Sequence, residues 1–309
     1  AVITTRGARR FGAPRRRTLR HSGSPWIAWL FVAPFVVTFL TFTVIPAIAA
    51  LSMSFTDIGI RDLRNPLSVD FVGFETFAEV FSNPEFVRAV WNTVLFVLCT
   101  VPATLVLGFI LALVLDTGIR RLRGLFRTGI YVPVVVNIVA AAVIWQYAFN
   151  VEGPFNEMLA TFGIDGPNWL GDPALALPTV ALLGVWRNLG ASMILFLAGL
   201  QALPDDVDEA AAMDGAGYAR RLFSITIPLL RPTTLLVSVI LMERFINIFD
   251  EPYLVTRGGP VGSTQTLAIW VFERFGFGEI AQAMAGSLMM LVLVGIVALI
   301  QFRALRQKS

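Results

Sequence analysis

The sequence predicts an all-helical protein that crosses a membrane six times, and three observations lead to this prediction. First, 56% of the 309 residues are hydrophobic and only 15% are charged, whereas soluble domains carry about 25% charged residues. Second, the chain contains six apolar runs of membrane-spanning length. Third, basic residues are concentrated in alternate connecting segments, as in polytopic membrane proteins.

The six apolar runs each approach the roughly 20 residues that a membrane-spanning helix needs. In chain order they are 26–50, 90–115, 130–149, 177–200, 233–249 and 281–302. The first is too long for the core of a signal peptide and lacks a plausible cleavage site, so we interpret it as a span. The predicted organisation is therefore a basic tail, residues 1–25, followed by a six-span membrane domain, residues 26–309.

The distribution of Lys and Arg predicts the orientation of the chain. The four segments that would share one side hold 17 basic residues, and the three alternate segments hold 5. The richer set is 1–25, 116–129, 201–232 and 303–309. Cytoplasmic loops carry the excess of basic residues, so we expect both termini in the cytoplasm and the chain in the plasma membrane. The seven arginines of the tail are expected to mark orientation and to contact anionic lipid.

The scarcity of three residue types excludes several functions. One histidine, His21, and one cysteine, Cys99, leave no intrachain disulfide, no cysteine-rich metal site and no ordinary Ser-His-Asp or Cys-His site. The only lysine is Lys308, near the end of the chain, whereas a phosphate-binding G-x-x-x-x-G-K-[ST] loop needs a lysine to reach the phosphates. We therefore expect no enzyme activity and no metal site in this chain, and an energy source in another polypeptide.

A polar segment, residues 205–228, separates the fourth and fifth apolar runs. The aspartates within 205–208 favour the start of a helix, and the alanines 210–212 favour its continuation. Gly215 and Gly217 are expected to end this helix, and 218–227 is expected to form a second one. An ordinary amphipathic loop on the membrane surface is the alternative interpretation.

The residue pattern of the 205–228 segment resembles the coupling motif of binding-protein-dependent ABC importer permeases. The matching residues are Glu209, Ala210, Ala211, Gly215, Ile225, Ile227 and Pro228. Asp214, Ala216 and Pro232 match the longer form of the sugar-importing, MalF-like branch. Further similarities lie at Asn92-Thr93, Phe126-Arg127, Pro133, Trp145, Gly153, Asn156, 198–201, 254–260 and 264–267. The resemblance covers roughly residues 85–300.

This resemblance implies the type I permease fold of ABC importers and half of a translocation pathway that works by alternating access. The implied substrate is a disaccharide or oligosaccharide, trehalose among the candidates, although glycerol-phosphate and maltose-type permeases carry similar signatures. The implied partners are a second, MalG-like six-span permease, a cytoplasmic ATPase dimer and an extracellular substrate-binding protein. ATP and Mg²⁺ would bind to the ATPase, so no cofactor is expected in this chain. The residues implied in coupling to the ATPase are Glu209, Ala210, Ala211, Asp214, Gly215, Ile227 and Pro228.

Polar residues inside the fourth and fifth runs are candidates for a substrate path, because ionisable groups at bilayer depth are costly and usually functional. These residues are Trp186, Arg187, Asn188, Glu243, Arg244 and Asn247. The spacing of Glu243, Asn247, Asp250 and Glu251 predicts one face of a continuous helix.

We hypothesise that Arg187 pairs with Glu243, and that Asn188 and Asn247 face the path. Trp186, Trp145 and Gln146 would complete a site for sugar hydroxyls and sugar-ring faces. The alternative is that these residues are hydrogen-bonding contacts between helices with no substrate role.

Two rival functions differ in what they require. A stand-alone secondary transporter for a small polar solute would work without an ATPase, and it leaves the 205–228 segment unexplained. An intramembrane enzyme would need a nucleophile with its base, or a metal site, and the chain has no set of His or Cys residues for either. Co-purification of an ATPase and a second permease would distinguish the importer from both.

Overall fold

The computed structural model describes residues 25–64, 69–117 and 123–306. The arginines of the predicted basic tail, at positions 6 to 20, lie outside the described residues. Within those three ranges the chain is almost entirely helical, and an isolated bridge between Thr56 and Phe71 is the only β pairing. The all-helical fold that the sequence predicts is confirmed.

The chain divides into two units, residues 1–49 and 50–309. The described part of the first unit consists of helix α1 (Pro25–Phe39), a π-helical turn (Leu40–Val44) and the beginning of α2 (Ile45–Met53). Inside α1, the Thr38 hydroxyl donates to the Pro34 carbonyl over 2.8 Å.

The helices of the second unit are of two kinds, long apolar rods and short segments that connect or break them. They are α3 (Glu75–Ser82), α4 (Pro84–Thr117), α5 (Arg123–Val135), α6 (Ile138–Ala148), α7 (Pro154–Thr161), α8 (Pro173–Gln201), α9 (Asp205–Met213), α10 (Tyr218–Arg221), α11 (Ile227–Leu229), α12 (Arg231–Ile246), α13 (Asp250–Thr256), α14 (Leu267–Phe277) and α15 (Ile280–Arg306). A π-helical turn (Leu222–Thr226) joins α10 to α11.

Four helical stretches in the described residues are long and apolar enough to cross a membrane: Trp29–Met53, α4, α8 and Ile280–Gln301. Two bent helix pairs also pass the same criteria, α5 with α6 at 96°, and Tyr218–Leu229 with α12 at 62°. If each pair is one span, the total is six. Each of the six stretches overlaps one of the six apolar runs, but the fifth pair begins at Tyr218, inside the 205–228 segment and fifteen residues before its run.

The third apolar run, 130–149, is not the single straight helix that hydropathy suggests. The chain breaks between α5 and α6, and Asn137 caps the start of α6. Its Oδ1 accepts a hydrogen bond from the Val139 amide over 2.9 Å. Asparagine is a preferred N-cap because its side chain satisfies a free amide of the first turn. The break therefore has a local cause that an average over apolar residues does not register.

The fifth apolar run, 233–249, also ends earlier than predicted. Helix α12 stops at Ile246, and a new helix begins at Asp250. Because the helix is interrupted, Glu243 and Glu251 do not lie on one continuous helical face. That part of the sequence prediction is wrong, and it changes which residues can meet.

Helices α4, α8 and α12 enclose the main apolar core, in which Phe96, Leu183 and Phe245 are fully buried. Small residues allow the close approach. A Cβ atom added at Gly108 would lie 2.8 Å from the Cβ of Ser192. Close backbone approach through small residues is a general device for packing membrane helices, since lipid supplies no hydrophobic drive for their association.

Helix α4 also holds the turn formed by residues 257–266, which joins α13 to α14. The Asn92 side-chain amide donates to the carbonyls of Gly262 (2.8 Å) and Gln265 (3.0 Å). The Thr93 hydroxyl accepts from the Leu267 amide over 2.9 Å. Two segments that separately resemble family signatures, about 170 residues apart in sequence, thus form one contact.

Candidate coupling and translocation sites

The 205–228 segment forms two helical pieces around a tight turn. Helix α9 begins at Asp205 and ends at Met213. After α9, the Ala216 amide donates to the Ala211 carbonyl over 3.0 Å. Gly215 occupies the left-handed region with φ +78°. A glycine in this conformation is the common way to end an α-helix, because it carries no Cβ to clash.

The side chains implied in coupling are mostly accessible. Glu209, Ala210 and Asp214 are exposed, whereas Ala211 is buried and Ile227 is half-buried. Three large side chains of the same segment, Met213, Tyr218 and Phe223, are also exposed. Small residues beside exposed apolar ones make a surface that another protein can cover.

The end of the segment is continuous with the fifth span. Ile227 and Pro228 lie in α11, directly before the 62° bend into α12. A cavity of about 420 Å³ lies beneath the segment, with Thr117 at the end of α4 and Leu200 of α8 on one side and Tyr218 and Arg221 on the other. The 205–228 segment is therefore joined to α12 by a short helical connection.

The clearest polar contact among the spans is the ion pair between Arg187 of α8 and Glu251 of α13. Arg187 Nη1 lies 2.8 Å from Glu251 Oε1, and the side chains are 12% and 1% exposed. A second guanidinium, that of Arg244 on α12, lies 3.6 Å from the same oxygen. One buried carboxylate thus links three helices on both sides of the break in the fifth span. A buried charge is tolerated only when it is paired in this way.

The predicted pairing of Arg187 with Glu243 is therefore wrong. The interruption after Ile246 reorients the chain, so that Glu251 rather than Glu243 reaches α8. Glu243 instead is exposed and neighbours Asn247, whose Nδ2 donates to the Glu243 carbonyl (2.8 Å) and lies 3.4 Å from its Oε1.

Three of the residues predicted for the substrate path make contacts between helices: Trp145, Gln146 and Trp186. Trp145 Nε1 donates to the Thr179 carbonyl of α8 over 3.1 Å. Gln146 Nε2 donates to the Val255 carbonyl of α13 over 2.8 Å. The rings of Trp145 and Trp186 lie 5.7 Å apart between centroids. Together with the Arg187–Glu251 pair, these contacts fix α6, α8 and α13 against each other.

Asn188 is buried and donates to the Gly184 carbonyl of its own helix over 2.8 Å. The seven predicted path residues consequently fall into three places. Trp145, Gln146, Trp186 and Arg187 lie at the junction of α6, α8 and α13, and Asn188 lies within the α8 packing. Glu243 lies on α12, and Asn247 follows the last residue of that helix. The contacts of Glu251 with Arg187 and Arg244 were not predicted from the sequence, because the prediction assumed an unbroken fifth helix.

The chain belongs to the family of binding-protein-dependent transport system inner membrane components, whose model matches residues 76–309. It is thus a multi-pass permease component of an ABC importer and not an enzyme. It is 32% identical to the sulfoquinovosyl glycerol transport permease SmoG of Agrobacterium fabrum, over 93% of this chain and 92% of that protein. It is 31% identical to the trehalose/maltose transport permease MalF of Thermococcus litoralis, over 87% and 90%.

The fold matches that of a solved chain from a bacterial ABC transporter that imports the acidic polysaccharide alginate. The TM-score is 0.80 at 22% identity, and the match covers 92% of this chain and 96% of that one. The two chains therefore share their overall fold.

Proposed function

We propose that this chain is a permease subunit of an ATP-driven importer for a disaccharide or oligosaccharide, with trehalose as the first candidate. The observation that supports this substrate class is the similarity, over about nine-tenths of both chains, to permeases named for glycoside or trehalose and maltose transport. Trehalose is the finer part of the proposal and is tested separately from the class.

The proposed assembly contains a second permease, an ATPase dimer and an extracellular substrate-binding protein. Both termini of this chain lie in the cytoplasm, an orientation supported by the 17 basic residues of one set of segments against 5 in the other. The 205–228 segment then faces the ATPase, and the 257–266 turn faces the binding protein. ATP and Mg²⁺ bind to the ATPase and not to this chain.

The proposed mechanism is alternating access driven through the 205–228 segment. Closure of the ATPase subunits displaces the exposed surface around Glu209, Ala210, Ala211, Asp214 and Gly215. The displacement passes through Ile227 and Pro228 to the bend before α12. Because the Arg187–Glu251 pair ties α13 to α8, the part of the fifth span beyond its break stays with α8 while α12 tilts.

Reconstitution tests the function and the substrate class together. The tagged chain is purified with its associated subunits, placed in liposomes with the binding protein, and assayed for uptake of labelled trehalose, maltose and lactose. We expect saccharide uptake that requires ATP on the side of the liposome membrane to which the ATPase subunits are bound. A complex whose ATPase lacks its phosphate-binding lysine provides the control, because that lysine contacts the nucleotide phosphates.

Uptake by the lone chain, or uptake that persists with the inactive ATPase, would establish the rival secondary transporter instead. ATP-dependent uptake of maltose or lactose without trehalose would retain the importer and overturn only the trehalose assignment.

A further inference from the structure

The break between α12 and α13 leaves one backbone carbonyl without a helical partner. Residues 247–249 lie outside both helices. In a continuous helix the Ile248 carbonyl would accept from the amide four residues later. That residue is Pro252, which has no amide hydrogen and whose ring would collide with the carbonyl four residues before it. Pro252 therefore accounts for a break at this position.

The Ile248 carbonyl belongs to a buried residue, so its partner has to come from the protein. Ile248 is 3% exposed. A buried carbonyl without a hydrogen bond is costly, and irregular backbone in membrane proteins is tolerated only where protein or water surrounds it. Among the described residues, the donor is the hydroxyl of Thr266, which is fully buried and lies 2.8 Å away. One side-chain hydroxyl thus replaces the amide that Pro252 lacks.

Thr266 occupies the N-cap of α14, yet its side chain does not cap that helix. Threonine is favoured at an N-cap because its oxygen usually accepts from an amide of the first turn. Here the first amide of α14, that of Leu267, donates to the Thr93 hydroxyl of α4 over 2.9 Å. The Thr93 hydroxyl in turn donates to the Ala89 carbonyl of its own helix. Because Thr93 satisfies this amide from outside, the Thr266 hydroxyl is used to hold the break.

The α12 side of the break is closed separately, by Asn247. The backbone amide and the Nδ2 of Asn247 both donate to the Glu243 carbonyl, at 3.4 Å and 2.8 Å. These bonds stay at the end of α12, whereas the Thr266 bond comes from a different helix. Beyond the break, Glu251 ties α13 to α8. The break therefore lies between a helix end closed by its own residues and a segment held by its neighbours.

We propose that the break at residues 247–249 is the pivot of the fifth span, and that Thr266 is the positioning residue that fixes this pivot to α14. The Thr266 hydroxyl holds the Ile248 carbonyl while α12 moves, so that α13 and the 257–266 turn keep their place. Without the hydroxyl, the carbonyl loses its donor and the place of the pivot is no longer defined. This inference rests on the proposed function, since it names the point at which the movement of α12 stops during transport.

Replacement of the hydroxyl by a group of similar shape tests its role. In the reconstituted complex, Thr266→Val should lower the amount of sugar taken up per ATP hydrolysed by about fivefold or more, the effect of leaving one buried carbonyl unpaired. Thr266→Ser keeps the donor and should leave this ratio unchanged. Thr104→Val is the matched control, because Thr104 is equally buried and its hydroxyl donates to the Thr100 carbonyl within α4. It should also leave the ratio unchanged.

A second pair of variants separates positioning from stability. Pro252→Ala supplies an amide for the Ile248 carbonyl, and a carbonyl can accept two hydrogen bonds, so this variant alone should keep the ratio of sugar to ATP. Thr266→Val combined with Pro252→Ala should recover the thermal unfolding midpoint that Thr266→Val loses. It should not recover the ratio, because the link from the break to α14 is still missing. The double variant also provides the measurement if Thr266→Val alone does not assemble.

An unchanged ratio in the Thr266→Val complex would overturn the proposal, and so would a serine variant as impaired as the valine variant. A double variant that recovers the ratio together with the midpoint would overturn it as well, because the hydroxyl would then serve stability alone. None of these results affects the proposed function, which depends on ATP-driven sugar uptake by the unmodified complex.

Discussion

Arg187 Nη1 on α8 lies 2.8 Å from Glu251 Oε1 on α13, just after the break in the fifth span, and both side chains are largely buried. The pair joins α8 to α13, whereas Arg244 approaches the same carboxylate from α12. Glu251 is thus the single acceptor around which three helices are arranged. Its removal should affect the fold more than removal of any other described carboxylate of this region.

Replacing Glu251 by Gln should destabilise the protein by about 3–5 kcal/mol, because it leaves the Arg187 guanidinium buried without a counter-charge. The measurement is the thermal unfolding midpoint of the purified complex in detergent. Glu79→Gln is the matched control, since Glu79 is exposed on α3. The double variant Arg187→Met with Glu251→Leu should recover most of the loss, because apolar replacement of both partners removes the buried charges together. A double variant as unstable as the single one would contradict the explanation.

Gly215 and Gly217 provide a contrast between two neighbouring glycines. Neither would bring an added Cβ within 4 Å of another atom, but Gly215 has φ +78° and Gly217 has φ −65°. Gly215→Ser should therefore cost about 1–2 kcal/mol locally, whereas Gly217→Ser places a favoured residue at an N-cap. We expect Gly215→Ser to reduce sugar uptake per ATP hydrolysed and Gly217→Ser to leave it unchanged.

Gly215→Asn should have an intermediate effect, because asparagine tolerates the left-handed region better than other residues. Equal effects of serine at the two positions would show that the backbone conformation of the turn is unimportant for coupling.

Gly190 allows α8 to lie directly against α5. A Cβ added at Gly190 would lie 2.5 Å from the Ile130 carbonyl oxygen and 2.9 Å from the Tyr131 Cα. Backbone atoms cannot move aside easily, so Gly190→Ala should destabilise by about 1–3 kcal/mol. Gly129→Ala, on α5, meets nothing within 4 Å and should be neutral or slightly stabilising. The thermal unfolding midpoint should fall for Gly190→Ala and should stay the same or rise slightly for Gly129→Ala, and equal falls would rule out the close contact as the cause.

The sequence predicted the spans well and their interruptions poorly. Hydropathy locates the apolar run 130–149 but cannot distinguish one straight helix from two helices at 96°. The residue at the break is Asn137, whose side chain accepts hydrogen bonds from the Val139 and Ala140 amides at the start of α6. By contrast, the turn at Gly215 was predictable, because a glycine after a run of helix-forming residues is a strong and local signal.

The site predictions failed where they depended on that same continuity. Assigning Glu243 and Glu251 to one face requires an unbroken helix, and the break at 247–249 turns them towards different neighbours. Burial and partners are tertiary properties, so the sequence identified the polar residues but not which of them are already satisfied. Only the structure shows that Arg187 pairs with Glu251, whereas Glu243 neighbours Asn247.

Helix α4 contributes to two separate regions of the second unit, one at each end of the helix. Its 34 residues give a rod about 51 Å long. Thr117 at one end borders the cavity beneath the 205–228 segment, and Asn92 near the other end holds the 257–266 turn. Because α4 is one helix that packs extensively against α8, the wall of that cavity and the anchor of the turn are parts of the same rigid rod. The separation between Thr117 and Asn92 is therefore set by a single helix and not by a series of side-chain contacts.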